Sequence, residues 1–281
     1  MTNKEIENLQ KYLNHKKLPK KVQISTITLT CKIDAKFNNL NIERYLDLDN
    51  EVVTIKSPRI QRSSLPPKKQ RKTKSQKPKK QAFYNQVSIG LHKDTDDIKK
   101  TINIKLFING AMQLTGCKSL DDFNWAVKTL FKKLNVVKAI YDSDQNILIE
   151  KPFVNDNKIL HISKVTATKI CMINSNFNMD YVIDRENLYH MLIDDKYSCT
   201  YDPIMHACVN IKYDIGKTKK ASIFVFEKGT IIITGVKDFK QISKSYKFIK
   251  GYLNDNYNSL VKRSADEGNI IDDLIKELDL E

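Results

Sequence analysis

The chain has 281 residues, of which 41% are hydrophobic, and a formal net charge of +15. This length and hydrophobicity allow one large domain or two halves, each with its own core. The excess of basic residues predicts an anionic partner, either nucleic acid or an acidic membrane surface.

Several function classes are disfavoured by what the sequence lacks. It has no run of 18 apolar residues and no apolar leader after Met1, so we expect a soluble intracellular protein. The five cysteines show no Cys-x-x-Cys spacing and the five histidines no metal-ligand spacing, so we expect thiols, no metal and no cofactor. We find no catalytic triad, no paired carboxylates and no phosphate-binding glycine loop, and therefore do not expect an enzyme.

The first unusual segment in chain order is a basic stretch at residues 57–82, which we call the basic insertion. Residues 58–81 contain ten Lys or Arg and no acidic residue. The Pro66-Pro67 pair and the lack of aromatic residues in that run predict disorder. Such a segment could lie along phosphates, act as a nuclear-import signal, or be only a solvated loop.

A block of about 14 residues occurs twice, at an offset of 119. Residues 105–118 read KLFINGAMQLTGCK, and residues 224–237 read FVFEKGTIIITGVK. Five pairs are identical: Phe107 and Phe226, Gly110 and Gly229, Thr115 and Thr234, Gly116 and Gly235, Lys118 and Lys237.

Each copy predicts a β-hairpin followed by a helix. Asn109-Gly110 and Lys228-Gly229 are turn signals between two alternating runs. Ser119 and Asp238 are expected N-caps of the helices that follow. The apolar residues of each helix fall on one face: Phe123, Val127, Leu130 and Leu134 in the first, and Ile242, Tyr246, Ile249 and Leu253 in the second.

Strand alternation divides the side chains of each hairpin between two faces. One face, with Ile104 and Leu106 for example, is expected to pack on the helix. The other face carries Lys105, Phe107, Gln113 and Thr115 in the first copy, and Phe224, Phe226, Ile232 and Thr234 in the second. That face is either a binding surface or a second layer of core, and the pattern alone leaves both open.

The ordered pair of Phe-x-x-Gly-x-x-x-x-Thr-Gly-x-Lys blocks resembles the signature of the TATA-box-binding protein family. Residues 24–34, ISTITLTCKID, resemble the first strand of its N-terminal repeat, and Tyr201-Asp202-Pro203 resembles a triplet of its second. Residues 169–188 can be laid on the corresponding strand and helix. The resemblance extends over residues 20–56, 83–134 and 165–257, and its divergence suggests the versions encoded by large DNA viruses.

The resemblance implies an α+β fold, a pseudo-twofold saddle of two repeats in which a curved antiparallel sheet carries helices on its convex face. It also implies a transcription initiation factor that bends AT-rich promoter DNA from the minor groove and recruits a B-type initiation factor and RNA polymerase, in a nucleus or a cytoplasmic viral factory. The expected boundaries are an N-terminal extension (1–20), a first repeat (21–134), a linking segment (135–164), a second repeat (165–260) and an acidic amphipathic helix (261–281).

The family's DNA-contacting positions can be carried over one by one. Phe107 and Phe226 fall on the inner wedges that unstack bases. Tyr84, or Phe83 one residue away, and His206, or Met205, fall on the outer wedges. The remaining expected contacts are Thr115 and Thr234 to bases, Lys118 and Lys237 to phosphates, and Lys105, Gln113, Phe224 and Ile232 on the same face.

Three departures from the family pattern point to an altered DNA preference. The family has an Asn on the first strand of each repeat, where this chain has Val22 and Met172; Asn174 could replace the second. His206 is a weak wedge, and Lys105 and Gln113 occupy places that are usually apolar. An alternative function is therefore a transcription-complex scaffold that no longer bends DNA, with non-specific DNA binding through the insertion.

The C-terminal segment is acidic and amphipathic. From Ser264 to Glu281 there are seven acidic residues and one Lys. An apolar stripe of Ile and Leu predicts a helix that packs on the body, inhibits DNA binding or docks on a partner.

Overall fold

The structure is a computed structural model, which describes residues 3–13, 15–66, 85–95, 98–216 and 219–262. Contacts divide the chain into two compact units. Unit 1 comprises the chain up to Lys11 and Thr26–Cys171; unit 2 comprises Tyr12–Ser25 and the chain from Met172 onward. The linking segment 135–164 thus groups with unit 1, whereas residues 12–25 group with unit 2.

Unit 1 is built on an antiparallel sheet with strand order β1-β6-β5-β4-β2-β3. A separate hairpin, β7–β8, lies in the linking segment and does not extend that sheet. The helices and strands of unit 1 are α1 (Asn3–Tyr12), β1 (Gln23–Lys32), α2 (Asn39–Tyr45), β2 (Val52–Lys56), β3 (Gln61–Ser63), β4 (Gln86–Thr95), β5 (Ile98–Phe107), β6 (Ala111–Cys117), α3 (Leu120–Leu134), β7 (Lys138–Asp142) and β8 (Ile147–Lys151).

Unit 2 repeats this plan with strand order β9-β13-β12-β11-β10. Its helices and strands are β9 (Thr166–Asn178), α4 (Arg185–Asp194), β10 (Cys199–Thr200), β11 (Cys208–Gly216), β12 (Lys219–Phe226), β13 (Thr230–Val236), α5 (Phe239–Asp255) and α6 (Tyr257–Leu260). Short 3-10 turns occur at His15–Lys17, Asn157–Ile159 and Ile162–Lys164.

The core of each unit lies between the sheet and the long helix that follows the hairpin. Ser119 Oγ accepts from the Asp122 backbone N–H (3.2 Å), and Asp238 Oδ1 accepts from that of Gln241 (2.7 Å), so both predicted N-caps are present. The two predicted apolar stripes are buried, as are the strand residues below them: Ile104, Leu106, Met112 and Leu114 in unit 1, and Ile223, Val225, Ile231 and Ile233 in unit 2.

The prediction that disorder begins at residue 57 is wrong for residues 57–66. β3 pairs with β2, and Arg62 fixes it there by donating to the carbonyls of Glu43 (3.0 Å) and Leu46 (2.7 Å) at the end of α2. This tertiary contact stabilises β3, whose polar sequence has no apolar pattern that would predict a strand. Residues 67–82 of the insertion and residues 263–281 of the acidic segment lie outside the described residues.

Candidate nucleic-acid interface

The face of the unit 1 sheet opposite α3 carries the predicted polar and aromatic set. Gln113 pairs directly with Lys105, and Ser88 lies opposite Lys105 on its other side. Lys105 and Thr115 are exposed, whereas Phe107 and Gln113 are half-buried. Since no described helix covers these side chains, we call this surface the open face of unit 1.

The open face of unit 2 has the same layout but is more apolar. Phe224 pairs with Ile232, and Phe226 pairs with Cys208 on the neighbouring strand. All four are half-buried, which leaves part of each side chain accessible. Burial raises the pKa of the Cys208 thiol, an effect that the nearby charge of Arg185 opposes, so the thiol stays protonated beside Phe226 at neutral pH.

The turn that follows each inner phenylalanine is closed by a glycine with positive φ. Gly110 (φ +82°) and Gly229 (φ +77°) each donate a backbone N–H to the carbonyl of the preceding phenylalanine, Phe107 or Phe226, at 3.0 Å. Only glycine adopts this conformation easily. The two turns therefore hold Phe107 and Phe226 at equivalent strand ends.

The repeated Thr-Gly pair produces a β-bulge in each unit, which sequence reasoning did not find. The register shifts between Ile27 and Leu29 opposite the first pair, and between Ile233 and Val236 at the second. Gly116 has φ +106°, and its N–H donates to Thr26 Oγ1 at 2.8 Å. A glycine of positive φ is typical of such bulges, which re-aim neighbouring side chains.

The threonines differ between the units. Thr234 Oγ1 donates to Asn174 Oδ1 and lies 3.4 Å from Met172 Sδ, so this hydroxyl already has a partner inside the unit. Thr115 is exposed and lies opposite Asn103, an exposed amide that the sequence analysis missed. The same alternation that selected Lys105 would have found Asn103, two residues before it.

The loop between β10 and β11 projects its apolar side chains into solvent. Ile204 is 92% exposed and Met205 is 72% exposed, and His206 is also exposed. Asp202 Oδ1 accepts the backbone N–H groups of Ile204 (3.0 Å) and Met205 (3.1 Å), and its carbonyl accepts that of His206 (2.7 Å). One aspartate thus shapes the loop, and the exposed Ile204 lies beside Met205 and His206, the two residues predicted for the outer wedge.

No protein-family model matches the chain. A curated relative, described as "TATA-box-binding protein-like", from Acanthamoeba polyphaga mimivirus, is 34% identical over 257 residues. The chain belongs to the TATA-box-binding-protein-like family. The alignment takes in 85% of this chain and 66% of the relative, so the chain spans about two thirds of the length of the viral protein.

A solved structure of the TATA-box-binding protein of Methanococcus jannaschii shares the fold. The match covers 84% of this chain and 99% of that one, with a TM-score of 0.50 and 14% sequence identity. The α+β fold expected from the resemblance is confirmed, and so is the resemblance to divergent viral members of the TATA-box-binding-protein-like family.

The structure places the remaining family positions as follows. Tyr84 and Phe83 lie outside the described residues. Val22 is buried just before β1 and so does not reach an open face, whereas Met172 and Asn174 are half-buried on β9. The Asn that the family has on its first strand therefore has no exposed counterpart at Val22.

Two lysines follow the bulges in this TATA-box-binding-protein-like chain. Lys118 and Lys237 are both exposed. The backbone N–H of Lys118 donates to Asp122 Oδ2 (2.9 Å), and that of Lys237 donates to Gln241 Oε1 (2.8 Å). Helix starts thus fix both backbones, while the ammonium groups extend into solvent.

Within the described ranges, no group of three or more His, Cys, Asp or Glu side chains is placed to hold a metal ion. No described helix is long and apolar enough to cross a membrane.

Proposed function

We propose that the protein is a transcription initiation factor that binds and bends AT-rich duplex DNA through the minor groove with its two open faces. The observation that carries this proposal is the equivalent position of Phe107 and Phe226, each half-buried at a strand end before a glycine turn. Membership of the TATA-box-binding-protein-like family supports it. That family is itself a known example of minor-groove binding by wedge insertion.

The open faces carry the chemistry that such binding needs. Phenylalanine edges can enter base steps, and the resulting bend requires least energy at flexible TA steps. Thr115 and the amide of Asn103 can hydrogen-bond the acceptors of the groove floor, where A·T and T·A pairs look alike. The ammonium groups of Lys118 and Lys237 can contact phosphates, which position the protein without reading sequence.

The proposed partners are those of an initiation factor. By analogy with the family, they are a B-type initiation factor and RNA polymerase, met either in a nucleus or in a cytoplasmic viral factory.

Two side chains favour the alternative of a scaffold that no longer bends DNA. His206, which the resemblance assigns to the outer wedge of unit 2, lies on an exposed loop, and Lys105 stands in unit 1 where the family usually has an apolar residue. A polar wedge and a hydrated ammonium both weaken apolar contact with the sugars. In that case the basic insertion would carry DNA binding.

The test is fluorescence energy transfer between the ends of a short duplex with a TATA-like or a GC-rich centre. We expect the wild type to bend the AT-rich duplex preferentially and Phe107→Ala/Phe226→Ala to abolish bending. Tyr141→Ala is a matched control, because Tyr141 is 58% exposed on the separate β7–β8 hairpin. Equal binding of both duplexes without bending, unchanged in the double variant, would support the scaffold.

A further inference from the structure

In unit 1 the turn of the β5–β6 hairpin contacts the segment that leads into α2, and in unit 2 the turn of the β12–β13 hairpin contacts the segment that leads into α4. The two units can be compared position by position at this junction. In unit 1 the backbone N–H of Phe37 donates to the carbonyl of Ile108 (3.2 Å); in unit 2 that of Ile183 donates to the carbonyl of Glu227 (2.7 Å). Glu227 lies 119 residues after Ile108, as the repeat requires. The backbones therefore correspond here, and any difference lies in the side chains.

In unit 2 three charged side chains close this junction. Arg185, the first residue of α4, contacts Glu227 at 2.7 Å, and Lys262 contacts the same carboxylate at 2.9 Å. These contacts lower the pKa of Glu227, through Lys262 first and Arg185 second. Arg185 also donates to the Ala207 carbonyl (2.8 Å) and lies 5.6 Å from the ring of Tyr201. We call Arg185, Glu227 and Lys262 the ion triad.

In unit 1 the ion triad is replaced by uncharged residues. Asn39 starts α2 and donates to the Asn85 carbonyl (3.1 Å), as Arg185 does to Ala207. Ile108 stands in place of Glu227, and the backbone of Asn155 bonds the chain before α2 (3.1 Å) as Lys262 does before α4 (2.9 Å). The Asn39 Oδ1 atom is buried and has no hydrogen-bond partner among the described residues.

At this junction unit 1 has a cavity of about 590 Å³, lined by Asn39, Ile108 and Asn155 among others; we call it the unit 1 cavity. Its volume lies within the range of ligand pockets. Leu40 and Ile108 are 47% and 44% exposed at its wall, and the exposed Pro152 adds further apolar surface.

The charges at the unit 1 cavity are of one sign. Lys36 and Arg59 line it, and no acidic side chain does so among the described residues. Lys36 is exposed, and Arg59 is 48% exposed although it contacts the buried Glu43 at 3.3 Å. An occupant that complements this surface needs an apolar group for the wall and carboxylates for the rim.

We propose that the unit 1 cavity docks a protein partner through a short segment in which one large apolar side chain is flanked by acidic residues. The apolar side chain supplies affinity by burial, and the carboxylates orient the segment against Lys36 and Arg59. The ion triad prevents the same docking in unit 2, so units 1 and 2 present different surfaces to partners.

The probe is a fluorescein-labelled peptide, Asp-Asp-Asp-Trp-Asp-Asp-Asp, titrated with the full chain and followed by fluorescence anisotropy. We expect saturable binding that weakens at least about tenfold when the tryptophan is replaced by alanine, as for an anchor residue. We also expect affinity to fall at least about tenfold in Asn39→Arg/Ile108→Glu/Asn155→Lys, which transplants the ion triad into unit 1.

Circular dichroism and urea unfolding establish whether the transplant folds; if it does not, Leu40→Asp/Arg59→Gln is the second variant, with the same expected fall in affinity. The proposal is overturned if the peptide fails to bind, if the alanine peptide binds as tightly, or if the folded variants retain full affinity. It is also overturned if a variant loses duplex binding together with peptide binding, because the cavity would then belong to a nucleic-acid site. A variant that still bends the duplex but no longer binds the peptide supports the proposal.

Discussion

Gly110 and Gly229 close the turns of the two open-face hairpins, and neither has room for a side chain. A Cβ on Gly110 would lie 2.3 Å from the backbone oxygen of Ala35, and one on Gly229 would lie 2.3 Å from that of Met179. Both neighbours are main-chain atoms, Ala35 in the segment that leads into α2 and Met179 in the segment that leads into α4. Neither can move without shifting the strand end that carries Phe107 or Phe226.

Gly110→Ala is therefore expected to lower the free energy of unfolding by at least about 1–3 kcal/mol from the positive φ alone. Urea titration measures this change. Gly251→Ala is the matched control: Gly251 lies within α5 with nothing within 4 Å of an added Cβ, so alanine should stabilise by about 0.5–1 kcal/mol. Equal stability of Gly110→Ala and wild type would show that the turn can relax.

Asp122 joins the β4–β5 hairpin to the start of α3. Its side chain is 4% exposed and contacts Lys93 (3.3 Å) and Lys100. It also accepts the backbone N–H of Lys118 (2.9 Å). Burial raises the pKa of this carboxyl, but the hydrogen bonds from Lys100 and Lys118 outweigh that effect, and the pKa is lowered overall.

Because the folded pKa of Asp122 lies below its unfolded value of about 3.9, its stabilisation is present above that pH and is lost as pH falls through the folded pKa. Asp122→Asn should cost about 3 kcal/mol at pH 7, since two lysines lose a buried partner. The difference from wild type should shrink below about pH 4. Urea titrations from pH 2 to 7 measure it, with the exposed Asp121→Asn as control; a difference independent of pH would contradict this account.

At the scale of elements, β3 depends on one arginine. Arg62 donates to the carbonyls of Glu43, Leu46 and Ile42 (3.4 Å) at the end of α2, and so links the edge strand to the helix. The planar guanidinium spreads five N–H donors over a rigid fork that spans separated acceptors, whereas an ammonium holds its three donors at one nitrogen.

Arg62→Lys should therefore release β3 while leaving the rest of the sheet in place. We expect the amide of Ser64, which donates to the Val53 carbonyl (3.0 Å), to exchange its hydrogen at least about tenfold faster, corresponding to about 1.4 kcal/mol. Native-state hydrogen exchange gives the rate. Arg59→Lys keeps its charge beside Glu43 and should change little; unaltered exchange at Ser64 in Arg62→Lys would show that backbone pairing alone holds β3.

Elements whose signals are local could be predicted from the sequence. Each of these signals spans only a few residues: the glycine turns, the N-caps at Ser119 and Asp238, and the alternation of β5 and β6. The repeat presents each kind of signal twice. β3 is polar and held by a contact to α2, and the Thr234–Asn174 hydrogen bond joins residues 60 apart, so neither was visible locally. Asn103 was visible and was missed.

For the whole molecule, the distribution of charge should set the salt dependence of DNA binding. The excess of basic residues is concentrated in residues 58–81, whereas the open faces carry fewer lysines, among them Lys56 and Lys105 in unit 1 and Lys212 in unit 2. On the proposed function, the insertion adds non-specific phosphate contacts and the open faces add bending.

Deletion of residues 67–82 should make the plot of log K against log salt concentration shallower by about 0.9 for each phosphate that the protein no longer neutralises. Preference for the AT-rich duplex and the bend should persist, because the open faces are unchanged. Anisotropy titrations at several salt concentrations give the slope, and energy transfer gives the bend. A shallower slope together with no preference between the duplexes would place DNA recognition in the insertion.

The insertion connects β3 and β4, two strands that pair with opposite sides of β2 and not with each other. Each strand is therefore held in the sheet by β2, independently of the residues that join them. The cost of closing a connection between two fixed ends grows only with the logarithm of its length, about 0.6 kcal/mol per doubling. A lineage could therefore change the length or the charge of residues 67–82 with little change in the stability of the sheet, so a new affinity can arise here without disturbing the fold.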